Sequence, residues 1–237
     1  MKNEVLIGCS SYNNRFWKGI FYPDNLSGSG FFEFYCQYFS TYEFNGSFYR
    51  FPTVKIFENW YKKTPENFIF SVKAPKEITH IRKFTDCETL ISDFYKVCKT
   101  GLKEKLGCVL FQLPPSYHFS SEKLHQIIGN LDLKFKNVVE FRHESWWNQE
   151  VWDAFLKHNI TFCSVSHPQL PDTIFKDFPL IYIRLHGKPK MFYSSYSLEE
   201  LLYIKNETNL KSAFIYFNNT ASEAGILNAL ELQKMMR

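Results

Sequence analysis

The sequence has no uninterrupted apolar run of about eighteen residues, which excludes a conventional membrane-spanning helix. Its opening stretch, MKNEVLIGCSSYNN, holds too short an apolar run for a secretory signal, so the expected location is the cytoplasm and no membrane partner is expected. The six cysteines (Cys9, Cys36, Cys87, Cys98, Cys108, Cys163) form no CxxC pair, which removes zinc ribbons and thioredoxin-type redox sites. GxSxG, the Walker GxxxxGK motif, GxGxxG and HExxH are all missing, so the usual signatures of serine hydrolases, nucleotide hydrolases, nicotinamide enzymes and zinc peptidases are absent. Charge is also modest. A net +4 is too little for a nucleic-acid arm, so the placement of basic residues matters more than their number.

What is present is an ordinary globular composition, 45% hydrophobic and 22% charged, with an unusual 19% of aromatic residues. Free cysteines inside apolar runs such as GCVLF and TFCSV read as small core residues. Eight apolar or β-branched runs predict strands: Val5–Cys9, Tyr42–Phe44, Phe68–Lys73, Cys108–Gln112, Val138–Phe141, Thr161–Val165, Leu180–Leu185 and Ala213–Phe217. Most lack alternation, as strands covered on both faces do. Helical spacing lies between them at Phe31–Phe39, Val54–Lys63 (Thr53 as N-cap), Glu88–Thr100 (stopped by Gly101), Ser120/Ser121–Ile128 (with Gly129 after it), Gln149–Lys157, Leu198–Asn206 and Ala221–Met236. Ser197 and Glu200 form a capping-box pattern. The interval from His167 to Pro179 carries three prolines and predicts a loop or one short helix. Strict alternation predicts an α/β fold of parallel strands. Eight units in a single domain spanning 1–237 predict a TIM-like (β/α) barrel with its sixth helix weak or missing. An open doubly wound sheet is the alternative.

In such a barrel, ligands meet the carboxyl ends of the strands. Those ends are polar here. Glu43 and Asn45 share one strand face, as do Glu140 and Arg142, and Arg184 and His186. Charges facing outward beneath apolar helices would be costly, so each pair is expected to face the barrel mouth. Lys73, Arg142, Arg184 and the nearby Arg50 outnumber Glu43 and Glu140, which points to a small anion such as phosphate, sulfate or carboxylate. Lys73, Arg142 and Arg184 would clamp it. Glu140 or Glu43 would serve as general base, and His186 or His80 as proton donor. Asn45, Gln112, Asn218 and Asn219 would orient it, with His143 beside them, and Tyr49 and Trp146 would form a wall or stack on it. Glu140 with Arg184 or Arg142 could instead form a buried structural lock.

These strand-end motifs resemble the YecE-like family, domain-of-unknown-function family seventy-two, over nearly the whole chain. The carrying segments are FWKGIFYP (Phe16–Pro23), YEFNGSFYR (Tyr42–Arg50), WYKKTPENFIFSVKAP (Trp60–Pro75), ITH (Ile78–His80), KLGCVLFQLPPS (Lys105–Ser116), VEFRHESW (Val139–Trp146), YIRLHG (Tyr182–Gly187) and YFNNTASEAGILNALEL (Tyr216–Leu232). The resemblance implies a TIM-like barrel whose mouth these motifs line. It supplies no activity. Ser11-Tyr12 stands where the family usually has Gly-Trp, and Thr220 where it has an acidic residue or His. Both departures touch the expected mouth.

The reading is an enzyme acting on a phosphorylated or otherwise anionic molecule, a hydrolase or a lyase or isomerase, without a cofactor. Two alternatives stay open at this level: a non-catalytic barrel binding nucleic acid or a partner, and a metal-dependent phosphoesterase. The cation surplus argues against a metal site. Oligomeric state is left open.

Overall fold

The computed structural model describes residues 4–208 and 210–237. The first three residues of the stretch read for a signal sequence lie outside this range. In chain order the elements are β1 (Val5–Cys9), α1 (Phe31–Tyr38), β2 (Thr41–Phe44), α2 (Gly46–Tyr49), α3 (Val54–Lys62), β3 (Ile69–Lys73), α4 (Glu88–Leu102), β4 (Leu106–Gln112), α5 (Ser121–Asn130), β5 (Lys136–Glu140), α6 (Gln149–Lys157), β6 (Thr161–Phe162), β7 (Ser164–Ser166), β8 (Leu180–Leu185), α7 (Leu198–Thr208), β9 (Ser212–Phe217) and α8 (Ala224–Met236). No helix among the described residues is long and apolar enough to cross a membrane.

The fold is α/β with parallel strands, but the expected single eight-stranded sheet is not what forms among the described residues. Strands β1-β9-β8-β7 make one sheet and β2-β3-β4-β5-β6 another. The predicted run Thr161–Val165 is two strands. β6 pairs with β5 and β7 with β8, so the run changes partner at Cys163. Between β7 and β8 the proline-bearing interval forms no helix.

The chain divides into two compact units. The first comprises residues up to Glu43, Thr64–Phe68 and Ser164–Arg237; the second comprises Phe44–Lys63 and Ile69–Cys163. In the first, β1 pairs with β9 from Val5↔Ala213 to Cys9↔Phe217, and β8 pairs with β9 from Leu180↔Ser212 to Leu185↔Phe217. Both register runs bring the strand ends Cys9, Leu185 and Phe217 level. Gly8 is required by close approach, because a Cβ there would lie 2.4 Å from the Thr41 carbonyl oxygen. Helix α7 starts at the predicted box: Ser197 N–H donates to Glu200 Oε2 (2.8 Å) and Glu200 N–H to Ser197 Oγ (3.2 Å).

In the second unit, β4 pairs with β3 (Lys73↔Leu110) and with β5 (Gln112↔Glu140). The carboxyl ends of three adjacent strands therefore present Lys73, Gln112 and Glu140 side by side. Thr53 caps α3 by accepting from Ile56 N–H, and Asn148 caps α6 by accepting from Val151 N–H. Gly101 does not stop its helix, contrary to the sequence expectation, and α5 runs on through Gly129 to Asn130. Helix α4 runs through Gly101 to Leu102 because α3 packs there: an added Cβ would sit 2.4 Å from Phe57 Cβ.

Candidate functional site

Each unit gathers part of the predicted residue set at its strand ends. In the first unit the centre is a buried ion pair. Arg184 on β8 donates from Nη2 to Glu43 Oε1 (2.7 Å) and from Nε to Glu43 Oε2 (2.9 Å). Tyr182, two residues back on the same strand face, donates its hydroxyl to Glu43 Oε2 (2.8 Å). Arg184 Nη2 also donates to Asn218 Oδ1 (2.8 Å). Glu43 is fully buried and Arg184 2% exposed. A carboxylate gripped through both oxygens at this depth has the geometry of a lock. Asn218 Nδ2, by contrast, is a buried donor with no hydrogen-bond partner among the described residues. Asn219 is wholly buried and ties the following loop, its Nδ2 donating to Ser194 O (2.9 Å). His186 is buried at the end of β8, its ring 5.9 Å from that of His167. Tyr182 was not among the predicted site residues, although its two-residue spacing from Arg184 carried the signal.

The second unit holds the larger cluster. Lys73 Nζ donates to Gln112 Oε1 (2.8 Å) and lies 4.1 Å above the centroid of the Phe48 ring. Arg142 Nε contacts Glu140 Oε1; the arginine side chain is 13% exposed and the glutamate fully buried. That pairing follows from period two on one strand and its extension. His80 sits on the π-helical turn Glu77–Ile81, with Nδ1 2.9 Å from Thr79 Oγ1 and its ring edge-on to Phe48 at 4.9 Å. Burial, reinforced by the Lys73 and Arg142 charges, lowers His80 to about 4, so the imidazole is neutral at pH 7. The predicted role of proton donor does not suit a group in that state. It can give a hydrogen bond instead.

Past β5, the chain turns through a short 3₁₀ helix, Glu144–Trp146. Ser145 N–H donates to His143 Nδ1 (3.3 Å), which fixes that nitrogen as an acceptor and puts the imidazole proton on Nε2. Ser145 Oγ accepts from Phe119 N–H (2.9 Å) and lies 2.8 Å from His143 Nδ1. The His143 ring stacks on His118 at 3.8 Å. His118 escaped sequence reasoning because it stands on an irregular segment with no periodic signal, while Ser145 lies inside the VEFRHESW segment without an assigned role. Trp146 is placed in the core: it is fully buried, stacks on Phe141 at 3.9 Å and donates Nε1–H to Tyr117 O (2.7 Å). Tyr49 and Arg50 are exposed at the end of α2, and Asn45 is half-buried at its start.

The turn after the π-helical segment has an unusual backbone. Lys83, Phe84 and Asp86 all have positive φ (52°, 67° and 48°), a conformation few non-glycine residues adopt. The turn sets Lys83 Nζ 3.4 Å from Ser116 Oγ, where its charge also bears on His80. Among the described residues no three His, Cys, Asp or Glu side chains group as metal ligands.

The comparisons agree with this architecture. The chain is 25% identical over 257 aligned positions to the UPF0759 protein YunF of Bacillus subtilis, covering 91% of this chain and 89% of that protein. It is 26% identical over 116 positions to the UPF0759 protein YecE of Escherichia coli K12, covering 48% of this chain and 42% of that one. Among solved structures, a DUF72 family protein from Thermotoga maritima superposes with a TM-score of 0.88 at 27% identity, covering 98% of both chains. One from Enterococcus faecalis superposes with a TM-score of 0.80 at 20% identity, covering 99% of this chain and 98% of that one, and so speaks to the fold alone. The family described as protein of unknown function DUF72 matches residues 6–237, and this chain belongs to it.

Proposed function

We propose that the protein binds a small anion bearing phosphate or carboxylate at the carboxyl ends of β3, β4 and β5. The observation that carries this reading is the convergence there of Lys73, Arg142 and Gln112 with one carboxylate, Glu140. Two cations against one carboxylate leave this residue set with positive charge, and His80, within the field of both, is neutral. Lys73 contributes a point charge, Arg142 a planar fork and His143 an Nε2–H donor. In catalysis, Glu140 is the group that takes a proton and His80 polarises the substrate by a hydrogen bond. Arg184 and Glu43 serve as a structural lock within the first unit rather than as the clamp.

For the chain as a whole we propose one domain and one TIM-like barrel. Support comes from parallel registered strand pairs alternating with helices. A single calorimetric unfolding transition is the expected result, and two separable transitions would count against it. We propose a cytoplasmic placement, with the six cysteines, none of them in a disulfide among the described residues, as thiols.

The binding test is thermal shift against phosphate, sulfate, citrate and chloride. An anion at ten times its dissociation constant stabilises by about 1.4 kcal/mol, or roughly 3–6 °C for a chain of this size. The shift should vanish in Lys73→Ala and survive in the exposed-surface control Lys134→Ala. Equal shifts in wild type and Lys73→Ala would remove the reading.

A further inference from the structure

The anion reading leaves unexplained the rings that surround the cations. Lys73 lies over the Phe48 ring, and Phe48 meets Tyr49 at 5.2 Å between centroids. Tyr49 is 76% exposed, and nothing in the folding of α2 requires a large ring to stand in water at that position. His143, directly after Arg142 in the chain, stacks on the exposed His118. Lys123 donates to the His118 carbonyl (2.8 Å), bringing a further cation to that end. Scattered exposed aromatics need no explanation. Here, however, a contact chain runs from Tyr49 through Phe48 to His80, and a second ring pair adjoins Arg142.

Resting on the anion site proposed above, we propose that its ligand is a nucleotide unit: a phosphate held by Lys73 and Arg142, and a base stacked on Tyr49 or on the His118–His143 pair. Cationic groups alternating with open π-faces are the physical requirement for holding a phosphate together with an unpaired base. A ring on Tyr49 and a phosphate at Lys73 rest on side chains separated only by Phe48, within the reach of one nucleotide. A free nucleotide and one nucleotide of a single strand present the same chemistry to this surface.

The test is calorimetric titration of the whole protein with inorganic phosphate, ribose phosphate, adenosine monophosphate and a short oligothymidylate at low salt. The proposal expects adenosine monophosphate to bind tighter than ribose phosphate. It expects Tyr49→Ala or His118→Ala to abolish that gain, a loss of about 5- to 150-fold in affinity for adenosine monophosphate relative to inorganic phosphate. Both substituted side chains are exposed, so the fold should persist, and Tyr49→Trp should retain the gain if Tyr49 is the platform. A tighter oligothymidylate identifies a strand as the source and equal affinities identify a free nucleotide; either supports the inference. Equal affinity for phosphate, ribose phosphate and adenosine monophosphate overturns it and leaves the anion reading standing. A base-dependent gain that survives both alanine substitutions overturns it as well. Absence of binding by every probe, inorganic phosphate included, overturns both.

Discussion

Replacing Arg184 with alanine tests whether the Glu43–Arg184 pair is the lock of the first unit. The substitution removes three hydrogen bonds to Glu43, at 2.7, 2.9 and 3.2 Å, and leaves a carboxylate with no exposed surface held by the Tyr182 hydroxyl. Breaking a buried pair from one side costs about 3–5 kcal/mol, because the surviving charge keeps its desolvation penalty. Each kcal/mol lowers the melting temperature of a chain this size by about 2–4 °C, so a drop of roughly 6–20 °C follows. Urea unfolding followed by tryptophan fluorescence reads the same loss as a lower midpoint with an unchanged slope. The double variant Glu43→Leu with Arg184→Met removes both charges and should recover most of the stability. The remaining deficit should be about 1–3 kcal/mol, the cost of losing the Tyr182–Glu43 and Arg184–Asn218 hydrogen bonds. A loss under about 1 kcal/mol in Arg184→Ala, or a double variant no better than the single one, would refute the reasoning.

Three further outcomes follow from other parts of the molecule. Gly101→Ala forces a methyl against Phe57 and should cost about 1–3 kcal/mol by denaturant unfolding, whereas Gly129→Ala, which meets nothing within 4 Å, should not destabilise. His80 should titrate near 4 by NMR, not near 6.5, so its contribution to stability is complete above about pH 6.5 and is lost as pH falls through 4. Phosphate should move that titration upward, and a free-protein value near 6.5 would contradict the packing described. Only Cys36 is more than marginally accessible, while burial pushes the Cys108 thiol up to about 12, so native protein should show one fast-reacting thiol and the denatured chain six.

Local chemistry was the most legible part of the sequence. The caps at Thr53, Ser197 and Glu200 were readable because a cap is decided within four residues. The Glu140–Arg142 pair was readable because two-residue spacing puts both on one face. Interactions between distant segments were not. Glycines 101 and 129 look like helix stops, yet one makes room for a neighbouring helix, a fact that lives in Phe57. Nothing local says that Glu43 pairs with Arg184 rather than another cation, since 141 residues separate them. The run Thr161–Val165 looks like one strand, and only the partners on either side of Cys163 divide it. Trp146 looked like a ligand wall because a large ring beside a polar motif gives no clue to its depth; the structure buries it against Phe141 and Tyr117. Tyr49 was read as a stacking residue from its motif alone, and its exposure is what gives that reading content.

The central claim is that Lys73 and Arg142 hold an anion together. Crystals grown with tungstate, a tetrahedral anion with strong anomalous scattering, test it most directly. The account predicts an anomalous peak within hydrogen-bonding distance of both Lys73 Nζ and the Arg142 guanidinium, lost in Lys73→Ala crystals. Peaks confined to surface lysines, with none between these two groups, would contradict it.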